Sequence, residues 1–138
     1  MQVMLTIAGT QRCEEDEPQV TKLVTQGTLT RKDGKTYLSY EESEMTGMIG
    51  TTTTFCIEEA RVTLTREGSL QSQMVFEVGV EDRSLYDMGF GALMIAVCAE
   101  HISAQFGDDG GTLHIVYSIC IEQESAGTIE YHIEAKRK

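Results

Sequence analysis

The sequence predicts an all-β protein: a single antiparallel sheet of about eight to nine strands closed into a barrel. Three observations carry this. Apolar residues recur at every second position over most of the chain, glycines punctuate segments rich in Thr, Val, Ile and Tyr, and the only proline is Pro18. A period of two places alternate side chains on opposite faces of a strand, so each such run has one apolar face and one polar face, the pattern of an antiparallel sheet over one core. Long strands in meander order with no intervening helix favour closure, because closure removes exposed edges.

The elements follow in order. Val3, Leu5 and Ile7 share one parity near the N-terminus. Asp33-Gly34 is the clearest hairpin turn, since a type I′ turn needs positive φ at both central residues. Phe55 and Ile57 continue the parity of Thr51 and Thr53, and Val62 and Leu64 alternate with Arg61, Thr63 and Thr65. Leu70, Met74, Phe76, Val78 and Val80 share one face of a further strand. Leu113, Ile115, Tyr117, Ile119 and Ile121 form the next clear alternation, followed by Ile129, Tyr131 and Ile133. Glu67-Gly68, Asp109-Gly110-Gly111 and Ala126-Gly127 are weaker turn signals.

The run YDMGFGALMIAV, residues 86 to 97, needs a separate argument. Its glycines do not complete a GxGxxG pattern, and the apolar run is much shorter than the roughly 18 residues of a membrane span. Helix is the competing assignment, since Ala, Leu and Met are good helix formers. The reading preferred is a strand buried on both faces, with Leu93, Ile95 and Val97 on one side and Met94, Ala96 and Cys98 on the other. Gly89 and Gly91 then mark a bend.

A chain of 138 residues suits one domain spanning 1–138. The formal charge of −11 repels phosphate backbones and anionic lipids, and the basic residues do not cluster beyond the Lys136, Arg137, Lys138 end. No nucleic-acid partner and no membrane partner are expected. The N-terminus lacks a basic secretory region, and Cys13, Cys56, Cys98 and Cys120 are dispersed without a CxxC pair, so reduced thiols and a cytoplasmic location are expected.

The segments DGKTYLSYEESEMTG, TTTTF, VTLTREG, MVFEV and YDMGFGALMI together resemble the YwiB-like family of bacterial cytoplasmic proteins of unknown function. The resemblance covers residues 3 to about 134. It rests on spaced features: Tyr40-x-Glu42, Gly47, Thr51, Arg66-x-Gly68, and Tyr86 with Gly89 or Gly91. It implies a calycin-like, that is lipocalin-like, β-barrel and no particular activity. The glycine-x-tryptophan signature of secreted lipocalins is absent, as the chain contains no Trp.

A barrel of this size is either filled by its side chains or holds one small ligand. Two readings follow. In the first, the barrel binds a small, partly apolar molecule without catalysis; in the second, a solid barrel acts as a protein-interaction module. Arg66, Glu42 and Tyr40 are the candidate polar anchors, since a guanidinium and a carboxylate on neighbouring strands can fix a polar or anionic ligand at the rim. The bland counterpart is an ion pair closing a hairpin. Met45 and Met48, in the loop MTGMIG with Ile49, are candidates for an apolar lid, or for a plug of the core. Tyr86, from the spaced features of the resemblance, completes the ligand-binding set.

No catalytic residue, metal site or cofactor is assigned. Ser103 lies near His101, but no GxSxG elbow accompanies them. Glu130, His132 and Glu134 alternate on one face, and a hairpin through residues 124–127 would set Ser118 or Cys120 opposite His132. His114 would then lie about 13 to 20 Å further along, at ~3.3 Å per residue, and the face reads as solvated. The acidic run Glu14, Glu15, Asp16, Glu17 lacks the spacing of a calcium loop and reads as a solvated connection. Periodicity leaves oligomeric state open, and it leaves open which face points inward, because a one-residue register slip exchanges the faces.

Overall fold

The computed structural model describes residues 1–13, 17–42, 49–87 and 89–138. Ten strands, rather than eight or nine, form one antiparallel sheet, and no helix occurs among the described residues. They are β1 (Gln2–Arg12), β2 (Gln19–Lys32), β3 (Lys35–Glu41), β4 (Thr51–Ile57), β5 (Val62–Gly68), β6 (Ser72–Phe76), β7 (Glu81–Asp87), β8 (Ala92–Gly107), β9 (Gly110–Ile121) and β10 (Glu124–Arg137). The order across the sheet is β6-β5-β4-β3-β2-β1-β10-β9-β8-β7, so the first and last strands pair in the middle of the sheet.

Edge strands β6 and β7 then meet and nearly close the barrel. Gln71 and Asp87 exchange backbone N–H···O bonds, both of 2.8 Å. Further along the seam the ladder gives way to a side chain, and the Val75 N–H donates to Asp82 Oδ2 at 3.0 Å. An edge donor left bare inside a sheet would cost free energy, and this carboxylate satisfies it.

The inward face of each strand is the one that the alternation selects. Val3 and Leu5 of β1, Leu38 of β3, Phe55 of β4, Val62 and Leu64 of β5, Phe76 of β6, and Leu113 and Ile115 of β9 are fully or almost fully buried. Phe76 packs against Tyr117 with ring centroids 4.6 Å apart and planes tilted by 42°. Aromatic pairs at that spacing gain attraction beyond their buried area.

The hairpin at Asp33-Gly34 has positive φ at both residues, 53° and 78°, as its sequence requires. Three expectations need correction. Val78 and Val80 do not continue the β6 face: Gly79, at φ +80°, turns the chain between β6 and β7, and both valines are exposed. The strand after Gly91 is buried on one face only. Leu93, Ile95 and Val97 point inward, whereas Met94 is 41% exposed and Ala96 and Cys98 are half-buried on the outside. Gly89, at φ +88°, lies in the turn before it, and Met88 lies outside the described residues.

The third correction concerns β9 and β10. Their turn is Glu122-Gln123, both at positive φ, and Ala126-Gly127 forms a bulge where the register shifts between Ser125 and Thr128. A turn this close to Ile121 sets the pairing, and the bulge shifts it by one residue, so His132 lies directly opposite His114, not opposite Ser118 or Cys120. Non-glycine residues at positive φ are uncommon, so the sequence offers Ala126-Gly127 as a turn and gives no sign of one at Glu122-Gln123.

Candidate functional site

The site begins with parity. Arg66 follows Val62 and Leu64 on the inward face of β5, and Tyr40 follows Thr36 and Leu38 on the inward face of β3. The ladder aligns Gly27, Tyr40, Thr53, Arg66 and Ser72 in one row across β2 to β6. Glu42 lies one inward step beyond Tyr40, and its backbone N–H donates to the Thr51 carbonyl at 2.8 Å. Its side chain is held by the Thr53 hydroxyl, which donates to Oε1 at 2.7 Å.

Arg66 is 7% exposed and Glu42 6%, yet the two do not form a hairpin-closing ion pair, and neither makes an ion pair among the described residues. Among the described residues, Arg66 Nε and Glu42 Oε2 are both buried without a hydrogen-bond partner, as is Ser72 Oγ. Leaving such a group unmade costs about 1–3 kcal/mol, and more for a charged one.

Tyrosines surround the guanidinium. Burial disfavours the Arg66 charge, but Tyr131, Tyr86 and Tyr40 together outweigh it and hold the group above the ordinary arginine value. Burial pushes the Tyr40 phenol up, with Glu42 and Tyr131 adding to the effect and Arg66 opposing it. Burial likewise raises Tyr117. Both phenols therefore stay protonated at neutral pH.

A cavity of about 270 Å³ opens beside these groups. Arg66, Glu42, Tyr40 and Tyr131 supply its polar wall, and Ile7, Leu23 and Ile129 its apolar wall. Gln11, Gln19 and Thr21 border it where β1 and β2 run past the core. Gly9 is the reason space remains: on the inward face of β1, a Cβ there would meet only the Tyr131 ring, at 3.5 Å.

Of the residues expected at a ligand site, Arg66, Glu42 and Tyr40 thus line one cavity. Tyr86 is half-buried and acts electrostatically on Arg66. Met45 and Met48 lie outside the described residues, as do Gly47 and the run Glu14 to Asp16. Tyr131 and Gly9 were not anticipated. A glycine at the fourth inward position of an otherwise apolar alternation, after Val3, Leu5 and Ile7, is the signal that points to the space.

With this geometry established, comparison with known proteins places the chain. Residues 5–133 match the family described as "Domain of unknown function (DUF1934)". The chain belongs to this family. It is similar to the "Uncharacterized beta-barrel protein YwiB" of Bacillus subtilis (strain 168), at 25% identity over 111 residues, 80% of this chain and 77% of that protein. The crystal structure of the ywiB protein from Bacillus subtilis matches with a TM-score of 0.88 at 20% identity, covering 99% of this chain and 92% of that one. That likeness shows the antiparallel barrel fold.

The outer face of β8, β9 and β10 carries a row of imidazoles. His101 and His114 have ring centroids 5.1 Å apart, and His114 and His132 5.8 Å. Ser103 pairs opposite His114 on the same face. His114 Nε2 lies 2.5 Å from Glu130 Oε2, and this contact is the main reason that the Glu130 carboxyl sits below its ordinary value. Among the described residues no group of three or more His, Cys, Asp or Glu is arranged to hold a metal ion. No helix among them is long and apolar enough to cross a membrane.

Proposed function

We propose that this barrel binds a small, partly apolar molecule at its mouth, as a binding protein rather than a catalyst. One observation carries the reading: two buried, oppositely charged side chains, Arg66 and Glu42, each carry a buried polar atom without a hydrogen-bond partner among the described residues, and both side chains line the same cavity. Natural interiors pair nearly all such atoms, so two on one cavity wall call for an occupant that pairs them. The apolar wall of Ile7, Leu23 and Ile129 gives that occupant a second, nonpolar contact. Cytoplasmic residence is part of the proposal, since all four cysteines are free thiols. So is the lack of nucleic-acid and membrane partners, which the net charge of −11 disfavours.

Native mass spectrometry of protein purified gently from its own cells tests this. A stoichiometric small molecule, released on denaturation and lost in an Arg66→Met variant, is the expected result. A bare chain that also gains no stability from any small molecule in a broad thermal-shift screen overturns it.

A second reading, a protein-interaction module, is favoured by the outer surface. Leu85 and Met94 are cross-strand neighbours, 56% and 41% exposed, and Phe90 at the adjoining turn is 89% exposed. Contiguous exposed apolar groups mark association surfaces. An oligomer that dissociates in a Leu85→Ser, Met94→Ser variant is the outcome that supports it.

A further inference from the structure

We infer that the occupant of the cavity is a small zwitterion of the α-amino-acid type with an apolar side chain. The inference rests on the ligand-binding reading above and adds the chemical class.

The argument is one of charge balance. Among the described residues, Arg66 Nε is a buried donor without a partner and Glu42 Oε2 a buried acceptor without one. A simple carboxylic acid would engage Arg66 but bring a like charge into the small space that Glu42 also lines. A simple amine would engage Glu42 and meet the guanidinium. A zwitterion satisfies both at once: its carboxylate accepts from Arg66, its ammonium donates to Glu42, and no net charge enters the barrel. Both contacts are charge-assisted, and a molecule that offers only one of them leaves the other group unpaired.

Size and shape narrow the class further. The cavity of about 270 Å³ lies just below the range of about 300–1,000 Å³ typical of sites for drug-sized ligands. Ile7, Leu23 and Ile129 then face the ligand's side chain, and the space opposite Tyr131 left by Gly9 admits a branched or thioether group.

The test is isothermal titration of the dialysed full-length protein with L-leucine, L-methionine and L-phenylalanine, and with the two half-charged analogues of leucine, 4-methylpentanoate and 3-methylbutylamine. At least one amino acid is expected to bind, with 4-methylpentanoate and 3-methylbutylamine each about 10- to 100-fold weaker than L-leucine. Glu42→Gln is expected to weaken L-leucine and to strengthen 4-methylpentanoate, an inversion that a purely structural role for Glu42 does not produce. Gly9→Val, with its fold checked by circular dichroism, is expected to abolish binding by filling the space. Equal binding of the acid and L-leucine, or no inversion in Glu42→Gln, overturns the inference. So does native mass spectrometry that releases a bound molecule without both charges, an outcome that leaves the binding reading standing. Failure of every probe together with a bare native chain overturns both.

Discussion

A glycine-to-valine substitution at position 9 should make this protein more stable, and the reason lies in what the cavity is for. Gly9 sits on the inward face of β1 beside the cavity, and a Cβ there meets only the Tyr131 ring at 3.5 and 3.8 Å, ordinary contact distances. Valine suits a strand, and removing glycine's backbone freedom contributes about 0.5–1 kcal/mol. Full burial of the side chain would add roughly 1.5 kcal/mol, of which about half is realised in a cavity open at the mouth. The sum is about 1–2 kcal/mol. For a chain of this length each kcal/mol moves the melting temperature by roughly 3–5 °C, so a rise of about 3–10 °C is expected in thermal denaturation. Gly27→Val is the internal control. It points inward from β2, but its Cβ would lie 2.6 Å from Leu5 Cδ1 and 2.7 Å from the Ser39 carbonyl oxygen, and overpacking should cost about 1–3 kcal/mol. A Gly9→Val variant that melts at or below the parent temperature would refute the reasoning, because the space would then be unavailable to a side chain. A rise would mean that the chain holds open a volume it could have filled, as expected where stability yields to a binding role.

Three further outcomes follow from the same geometry. Phe76→Ala should cost about 3–5 kcal/mol in urea denaturation, since Phe76 is fully buried against Tyr117. Asp82→Ala removes the acceptor of the Val75 N–H at the β6–β7 seam, and should speed hydrogen exchange at Val75 while costing about 1–3 kcal/mol. The Glu130 carboxyl sits below its ordinary value of 4.5, first through its hydrogen bond with His114 and then through the charges of His114, Arg12 and His132. Its contribution is therefore present above that value and is lost as the pH falls through the depressed one. The stability difference between parent and Glu130→Gln should be at most about 1 kcal/mol at pH 7, because the pair is partly exposed, and should shrink toward zero in strong acid.

Much of the barrel was written in the period of two, and the exceptions have local causes. Arg66 could be placed inward because Val62 and Leu64 set its parity, and Tyr40 with Glu42 follows Thr36 and Leu38 in the same way. The tenth strand was lost because β7, EDRSLYD, is polar at five of seven positions and reads as a loop. The apolar continuation from Phe76 to Val80 hid a turn, since valine carries no turn signal and only Gly79 breaks the run. The His114–His132 pairing depended on a two-residue turn of Glu122 and Gln123, for which no sequence rule argues. Tyr131 could not be assigned to the site because its approach to Arg66 depends on β10 pairing with β1, a contact between the two ends of the chain that periodicity does not encode.

The arrangement of the mouth also decides where affinity and discrimination would come from. Along β1 the inward positions run from Val3 and Leu5, fully buried, through Ile7 to Gly9 and Gln11, so the apolar core ends where the cavity begins. Water is the competing occupant there, since a polar cavity open to solvent can satisfy Arg66 and Glu42 with ordered molecules. A ligand therefore gains little net free energy from the two charges themselves, because each contact replaces one to water. Its affinity must come from the contact of its apolar part with Ile7, Leu23 and Ile129 and from release of the confined water. The charges act by exclusion instead: a molecule that fits the apolar wall but offers only one of the two groups leaves the other buried and unpaired, a cost of about 1–3 kcal/mol that water had avoided. Selectivity should thus fall in the Glu42→Gln variant more steeply than overall affinity does, whereas narrowing the apolar wall at Leu23 should reduce affinity for every ligand alike.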